Sequence, residues 1–356
     1  MEFNLRKSET FWSGLLLIAP FFLWGTAMVA MKGVIPQTTP LFMAGVRLLP
    51  AGLLVLAVAA MVGRPQPNTR VAWLWIGFFA LVDGAMFQGF LAEGLVRTSA
   101  GLGSVMIDSQ PLAVALLSSW LFGEVIGLWG WLGLGLGILG ISLIGLPDDW
   151  ILSLLQVHPV ALSLSWQNLF DSGEWLMLLA SLSMAVGTVT IRFVCRHADA
   201  VVATGWHMVL GGLGILLLSG IWESQQWVHI DLNGWMALGY STIFGSAIAY
   251  GVFFFLASQG NLTSLSSLTF LTPVFALSFG KLFLGEVLSP LQWMGVCLTL
   301  ISIYLINQRE KLGKQLLLSL QNFLGNANPT ANHPSEAENI TALLNQDMNE
   351  VDTETR

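Results

Sequence analysis

Three charged side chains stand where charge is expensive. Arg47, Asp83 and Asp108 each interrupt a long apolar run, and an ionisable group inside a bilayer costs about 2.5–3.5 kcal/mol on insertion scales. Counted at 1.5 Å of helix rise per residue, Arg47 lies about 10 Å inside one end of its run. Both aspartates fall at comparable depth. One guanidinium and two carboxylates at one level can satisfy each other around a shared cavity. Two carboxylates sharing one arginine would release their protons over different pH ranges, as a proton-coupled carrier requires. A fixed ion-pair lock between helices is the other reading of the same residues.

Asp108-Ser109-Gln110-Pro111 is the most informative stretch. Proline within a helix frees the carbonyl four residues back, here that of Ile107, and bends the helix. Polar groups beside a distorted backbone are tolerated in membranes where they are buried or line water. A substrate path along Asp108, Ser109, Gln110 and Pro111 is therefore expected, with packing kinks as the alternative. Thr269, Thr272 and Pro273 hold the corresponding place later in the chain. Trp24 and Tyr250 lie deep in their runs and fit either a cavity wall or the core. His207 falls at the position matching Arg47 and is a further candidate. Gly123-Glu124 and Gly285-Glu286 sit at run ends, where glycine closes one helix and an acid enters the first turn of the next. That reading is structural.

The elements that must position these groups are hydrophobic. Of 356 residues, 54% are hydrophobic and only 10% charged, with mean hydropathy +0.71. A soluble domain carries about 25% charged residues, so a soluble enzyme is excluded. Fourteen Lys+Arg against 21 Asp+Glu, with no basic stripe, exclude a nucleic-acid binder. Cys195 and Cys297 are too far apart in sequence for a CxxC metal pattern and give no disulfide framework. His158, His197, His207 and His229 have no metal-ligand spacing, and neither a metal nor a cofactor is expected. Gly135 to Gly140 match GxGxxG but lie inside an apolar run, which points to close helix packing.

A hydrocarbon core about 30 Å thick needs about 20 apolar residues of helix. Ten runs reach or approach that length: 11–31, 41–62, 71–91, 100–121, 127–146, 175–194, 201–221, 232–257, 264–284 and 291–306. With both termini cytoplasmic, the inner side holds Arg6, Lys7, Arg64, Arg70, Arg192, Arg196, Arg309, Lys311 and Lys314. The outer side holds only Lys32, Arg97 and Lys281. Lys32, Glu93, Arg97 and Lys281 lie near the interfaces and are expected to snorkel. Beyond the last run, 311–324 reads as a short interfacial amphipathic helix, and the acidic chain from Asn326 as disordered.

The runs repeat. A shift of 162 places Trp73 on Trp235, Gly89 on Gly251, Pro111 on Pro273, Gly123-Glu124 on Gly285-Glu286 and Gly133 on Gly295. A shift of 160 places Gly45 on Gly205, Arg47 on His207 and Gly52 on Gly212. Each half has five spans. Five is odd, so the second half enters the membrane upside down, as in the inverted repeats of secondary transporters.

Pro111 followed by Leu121-Phe122-Gly123-Glu124, and again Pro273 followed by Phe283-Leu284-Gly285-Glu286, resembles the signature of EamA-type drug/metabolite transporters, as does Leu23-Trp24-Gly25. The first half resembles a cyanobacterial and plastid branch through Asp83, the run 88–95 and the run 98–111. The second half departs at Met184-Ala185, where Trp-Gly would stand. The resemblance implies ten helices around a central cavity and export or exchange of small metabolites. The expectation is an all-α integral membrane protein: a cytoplasmic N-terminus (1–10), two five-helix repeats (11–146 and 174–307) joined by an extracytoplasmic link (147–173), and a cytoplasmic tail (308–356). Its expected function is alternating-access transport of a small organic solute across the cell membrane, with protons as a candidate coupling ion. An uncoupled channel or a membrane scaffold is the competing class. An enzyme is not expected, because the runs hold no HExxH or GxSxG pattern.

Overall fold

The structure is a computed structural model and describes residues 2–32, 34–97, 106–145, 173–284 and 289–327. Contact clustering divides the chain into two compact units, Met1–Arg309 and Glu310–Arg356. Among the described residues all regular structure is helical. Eight helices among the described residues are long and apolar enough to cross a membrane, beside shorter apolar helical stretches.

Helix α1 (Glu2–Lys32) leads to α2 (Pro40–Met61). Pro40 opens α2, where a missing N–H costs nothing. Helix α3 (Arg70–Phe79) is capped by the Thr69 hydroxyl, which accepts from the Ala72 amide at 3.1 Å. It continues through a wide π-helical segment, Ala80–Phe87, into α4 (Gln88–Arg97). Then come α5 (Gln110–Phe122), α6 (Gly127–Gly145), α7 (Gly173–Val194) and α8 (Ala200–Trp222). The α8 start is capped by Asp199, whose carboxylate accepts from Val201 and Val202. Helix α9 (Leu232–Tyr240) runs through a second π-helical segment, Ser241–Ile248, into α10 (Ala249–Gln259). After α11 (Leu262–Ser267) and one 3₁₀ turn (Leu268–Phe270) come α12 (Leu271–Leu284) and α13 (Pro290–Ala327).

The expected proline kinks are breaks instead. Pro111 stands in the first turn of α5 rather than within a longer helix, so its missing N–H removes no helical bond. Pro273 likewise lies in the first turn of α12, beyond the 3₁₀ turn. The two breaks, and the two wide π-helical segments, fall at positions related by the internal repeat.

Glycines set how closely the helices approach, as expected where lipid offers no hydrophobic drive to association. On α2 and α8, a Cβ at Gly45 would stand 3.2 Å from the Gly212 carbonyl oxygen, and one at Gly52 would stand 2.7 Å from that of Gly205. Gly45 matches Gly205 in the repeat, and Gly52 matches Gly212, so the two contacts exchange with each other. The same holds for α6 and α13. A Cβ at Gly133 would meet the Ser302 carbonyl oxygen at 3.1 Å, and one at Gly140 would meet that of Gly295 at 2.9 Å. Gly140 is thus a packing residue, in keeping with a GxGxxG match that lies inside an apolar run. Large apolar side chains such as Trp120 and Ile221 remain exposed, as a lipid-facing surface allows. In the second unit the described residues, 310–327, are helical throughout; the acidic stretch after them lies outside the described residues.

Candidate functional site

A cavity of ≈ 120 Å³ lies where both π-helical segments and both proline breaks converge. Phe87 and Gly245 reach it from the wide segments, and Gln110 and Thr272 from the breaks. Met31 near the end of α1, Met43 near the start of α2 and Leu95 near the end of α4 also line it. The cavity therefore extends from mid-helix toward the face at which α1 ends.

Much of its wall is apolar, and the polar groups in it are short of partners. Buried polar atoms are nearly always hydrogen-bonded, yet Trp24 Nε1, Arg47 Nε, Gln110 Oε1 and Thr272 Oγ1 have no partner. All four belong to residues of this one cavity. Such a cluster fits groups held ready for a solute.

Arg47 anchors the polar side. Its Nη2 donates to Gln88 Oε1 at 2.8 Å, and Gln88 Nε2 donates to the Tyr250 hydroxyl at 2.7 Å. Its Nη1 donates to Met31 Sδ at 3.0 Å. Tyr250 stands edge-on to Trp24, with ring centroids 5.2 Å apart. Arg47 makes no ion pair with a described carboxylate. Asp108 lines the same cavity, buried to 9% exposure, and makes no hydrogen bond or ion pair with a described residue. The cavity thus holds one cation and one carboxyl group that do not neutralise each other directly.

Asp83 does not join them, which corrects the expected cluster of three. Its Oδ2 lies 3.1 Å from His207 Nε2, and both side chains are 1% exposed. Depth along a helix can be counted from sequence, but the direction in which a side chain leaves the axis depends on packing, and here Asp83 turns toward α8. His207 therefore faces Asp83 rather than the cavity, between Phe79, stacked at 4.0 Å, and the edge of Phe254 at 5.3 Å.

The remaining candidates sort by place. The Ser109 hydroxyl donates to the Met106 carbonyl at 2.6 Å and lies 3.4 Å from the Ser181 hydroxyl. Gln110 Nε2 donates to Thr188 Oγ1 at 3.2 Å, tying α5 to α7. Thr269 lines the cavity with Thr272, whereas Pro111 and Pro273 shape the backbone beside it. Gly123 closes α5 in the left-handed conformation, φ +70°, as expected of a glycine cap. Glu124 departs from expectation, because it caps a helix far along the chain instead of its own successor. Its carboxylate accepts from Leu262 N at 3.1 Å, Thr263 N at 3.3 Å and Thr263 Oγ1 at 2.9 Å, and pairs with Arg192 Nη1 at 3.3 Å. Arg192 also donates to the Gly260 carbonyl and lies over the Phe122 ring at 4.8 Å. Gly285 and Glu286 lie outside the described residues, as do the side chains of Lys32 and Lys281. Glu93 and Arg97 pair with each other at 2.7 Å.

Sequence reasoning about the site missed Gln88 and Glu223. Gln88 is an amide deep in an apolar run, a signal of the same kind as Gln110. Glu223 accepts from Leu41 N, Phe42 N and the hydroxyls of Thr39 and Ser219 at 2.6–2.9 Å, and no sequence pattern points to that distant helix start.

Two stretches of the chain, 11–146 and 171–308, match the EamA-like transporter family. The chain belongs to that family. An uncharacterized transporter of Synechocystis sp. is 65% identical over 316 residues, covering 89% of this chain and 96% of its own. A WAT1-related chloroplastic protein of Arabidopsis thaliana is 53% identical over 305 residues, 85% of this chain and 70% of that one. A solved structure at 16% identity has the same fold, with TM-score 0.67 over 85% of this chain and 97% of its own. Family and relatives together make this EamA-like chain a multi-pass membrane protein of a transporter family, and they point away from an enzyme. Among the described residues, no three His, Cys, Asp or Glu side chains group as a metal site.

Proposed function

We propose that this EamA-like protein is a secondary transporter that exports or exchanges a small zwitterionic organic solute by alternating access, coupled to protons. Its two five-helix repeats, 11–146 and 174–307, lie inverted about an axis in the membrane plane, with 147–173 outside and both termini, including the tail 308–356, in the cytoplasm. The plasma membrane is its site. The exchangeable glycine contacts of α2 with α8 and of α6 with α13 support the inverted relation, because a two-fold axis makes contact i–j recur as j–i. The concentration of Arg64, Arg70, Arg192, Arg196 and Arg309 at one end supports the orientation.

The observation that carries the reading is the pair of unneutralised groups in one cavity. Among the described residues Arg47 has no carboxylate partner and Asp108 no cationic one, yet Asp108 is buried and Arg47 half-buried beside Met28, Met43 and Leu91. Burying unpaired charge is costly. A solute with a carboxylate toward Arg47, an ammonium toward Asp108 and an apolar body against the methionines satisfies both. Gln88, Tyr250, Gln110, Ser109, Thr269, Thr272 and Trp24 supply the remaining polar and aromatic contacts.

The test is counterflow in vesicles reconstituted with the full chain, using labelled leucine, isoamylamine and isocaproate. Saturable counterflow of leucine, with neither the amine nor the acid carried, is expected. Equal passage of all three, or non-saturable flux, would make the protein a channel; no flux would leave a scaffold.

A further inference from the structure

Outside the cavity, a pair of ionisable groups is buried with no second charge against it among the described residues. Asp83 and His207 are each 1% exposed and touch at 3.1 Å. Their outer atoms, Asp83 Oδ1 and His207 Nδ1, are buried and have no partner. A static lock in a membrane interior would be expected to satisfy these atoms, since each orphan costs about 1–3 kcal/mol. Asp83 also sits in a wide π-helical segment, a distortion that recurs at functional sites. Neighbouring backbone closes tightly on the pair. A Cβ at Gly187 of α7 would stand 2.5 Å from Asp83 Oδ1, and one at Gly84 would stand 2.7 Å from the His207 carbonyl oxygen.

We propose that the Asp83–His207 pair is the site at which this carrier takes up its coupling proton; the assignment rests on the transport reading above. With the proton bound, the pair is neutral, with the proton on the Asp83 carboxyl and His207 an uncharged imidazole, because two neutral groups cost less than two charges in an apolar interior. With the proton gone, it carries one negative charge. Such a charge is costly in an apolar interior, so the emptied pair favours an arrangement that admits water and the filled pair one that excludes it. Asp83 belongs to the first family match and His207 to the second, so the proton bridges the two halves whose relative movement alternating access requires. The proton enters from one compartment's water, remains on the pair during the transition and leaves to the other.

Few other ionisable groups face the pair. On α7, Glu174 and Arg192 lie toward the two ends; on α3 and α4, Arg70, Glu93 and Arg97 lie at or near the outer ends. On α8 there is only His207. Arg47 on α2 and Tyr250 on α10 are the ionisable groups that the helices packed against α8 add. Tyr250 stacks on Phe254, which meets the His207 ring edge-on, so one aromatic column joins the proton site to the solute cavity.

The test needs no solute. The full chain in lipid nanodiscs is titrated with pH while infrared difference spectra follow the C=O stretch of protonated carboxyl groups. A titrating component that disappears in Asp83→Asn and persists in Asp108→Asn is expected, with its midpoint displaced by about one pH unit or more in His207→Gln. Superimposable spectra of wild type and Asp83→Asn overturn the proposal, as does an unmoved midpoint in His207→Gln. Should Asp83→Asn not survive purification, His207→Gln alone decides. In vesicles, accumulation of leucine driven by a pH gradient should fall in Asp83→Asn to its level without the gradient, and unchanged accumulation also overturns the proposal. A wild-type protein that carries no leucine strikes at the transport reading and leaves the infrared result standing.

Discussion

Replacing Glu124 by glutamine should open the side on which the cavity is closed. Glu124 leaves the end of α5 in the first half of the chain and holds four groups of three residues in the second: the Leu262 amide, the Thr263 amide and hydroxyl, and the Arg192 guanidinium. The cavity extends toward the opposite face, so this contact lies across the route to the cytoplasmic side in the proposed orientation. Glutamine keeps an acceptor oxygen but loses the charge that Arg192 and the α11 start share. Hydrogen bonds to charged groups contribute about 1.5–3 kcal/mol, and breaking a buried pair costs about 3–5 kcal/mol. With Glu124 9% and Arg192 23% exposed, solvent screening brings the working figure to about 2 kcal/mol. That corresponds to roughly a thirtyfold change in the ratio of closed to open forms. The assay places one cysteine at Thr272, which is 7% exposed in the cavity, in a background with Cys195→Ser and Cys297→Ser. Vesicles of each orientation are treated with a membrane-impermeant maleimide. Labelling from the Glu124 side should accelerate by about thirtyfold if access limits the rate. An unchanged rate from that side, in a variant that still folds, would refute the idea that this contact closes the route.

Further outcomes follow from the same geometry. Gly52→Leu should lower the detergent melting temperature, because its Cβ alone would stand 2.7 Å from backbone atoms of Gly205 and Val209, an overpacking cost of about 1–3 kcal/mol; Gly77→Ala, with nothing within 4 Å, serves as the neutral control. Arg47→Gln should abolish leucine counterflow, and Gln88→Leu should weaken it about tenfold by releasing the guanidinium from its 2.8 Å hydrogen bond; wild-type transport by Arg47→Gln would remove Arg47 from the site. Burial pushes the Cys195 thiol from 9.0 up to about 11. Its alkylation by N-ethylmaleimide at pH 8 should therefore run about a hundredfold slower than that of an ordinary thiol, since only the thiolate reacts. The rate should keep rising beyond pH 9, and mass spectrometry showing a plateau there would contradict the burial argument.

Legibility in the sequence ended where azimuth and distance along the chain begin to matter. The apolar runs, their repeat and the polarity of Asp108-Ser109-Gln110-Pro111 follow from composition and spacing, and the cavity includes Asp108 and Gln110. Arg47 and Asp83 share a depth, but hydropathy does not encode which neighbour each meets, and Asp83 turns to His207. Pro111 is visible as an interruption, yet a kinked helix and a broken one carry the same residues. Glu124 reads as a cap because acids favour helix starts; that the start belongs to Leu262, 138 positions away, is a fact of tertiary packing alone. The wide segments have no residue signature at all.

Those two wide segments tie length to aim. A turn closed over five residues carries more chain than its ordinary neighbour, so excising one residue between Ala80 and Phe87 would let the rod tighten to regular pitch. The tighter winding would make up most of the lost rotation, leaving Gln88 toward Arg47 and α4 toward α2, whereas a residue lost from the regular turns on either side would swing everything beyond it by about 100°. The wide turn is thus a place at mid-depth where the rod can give up a residue and keep the amide aimed.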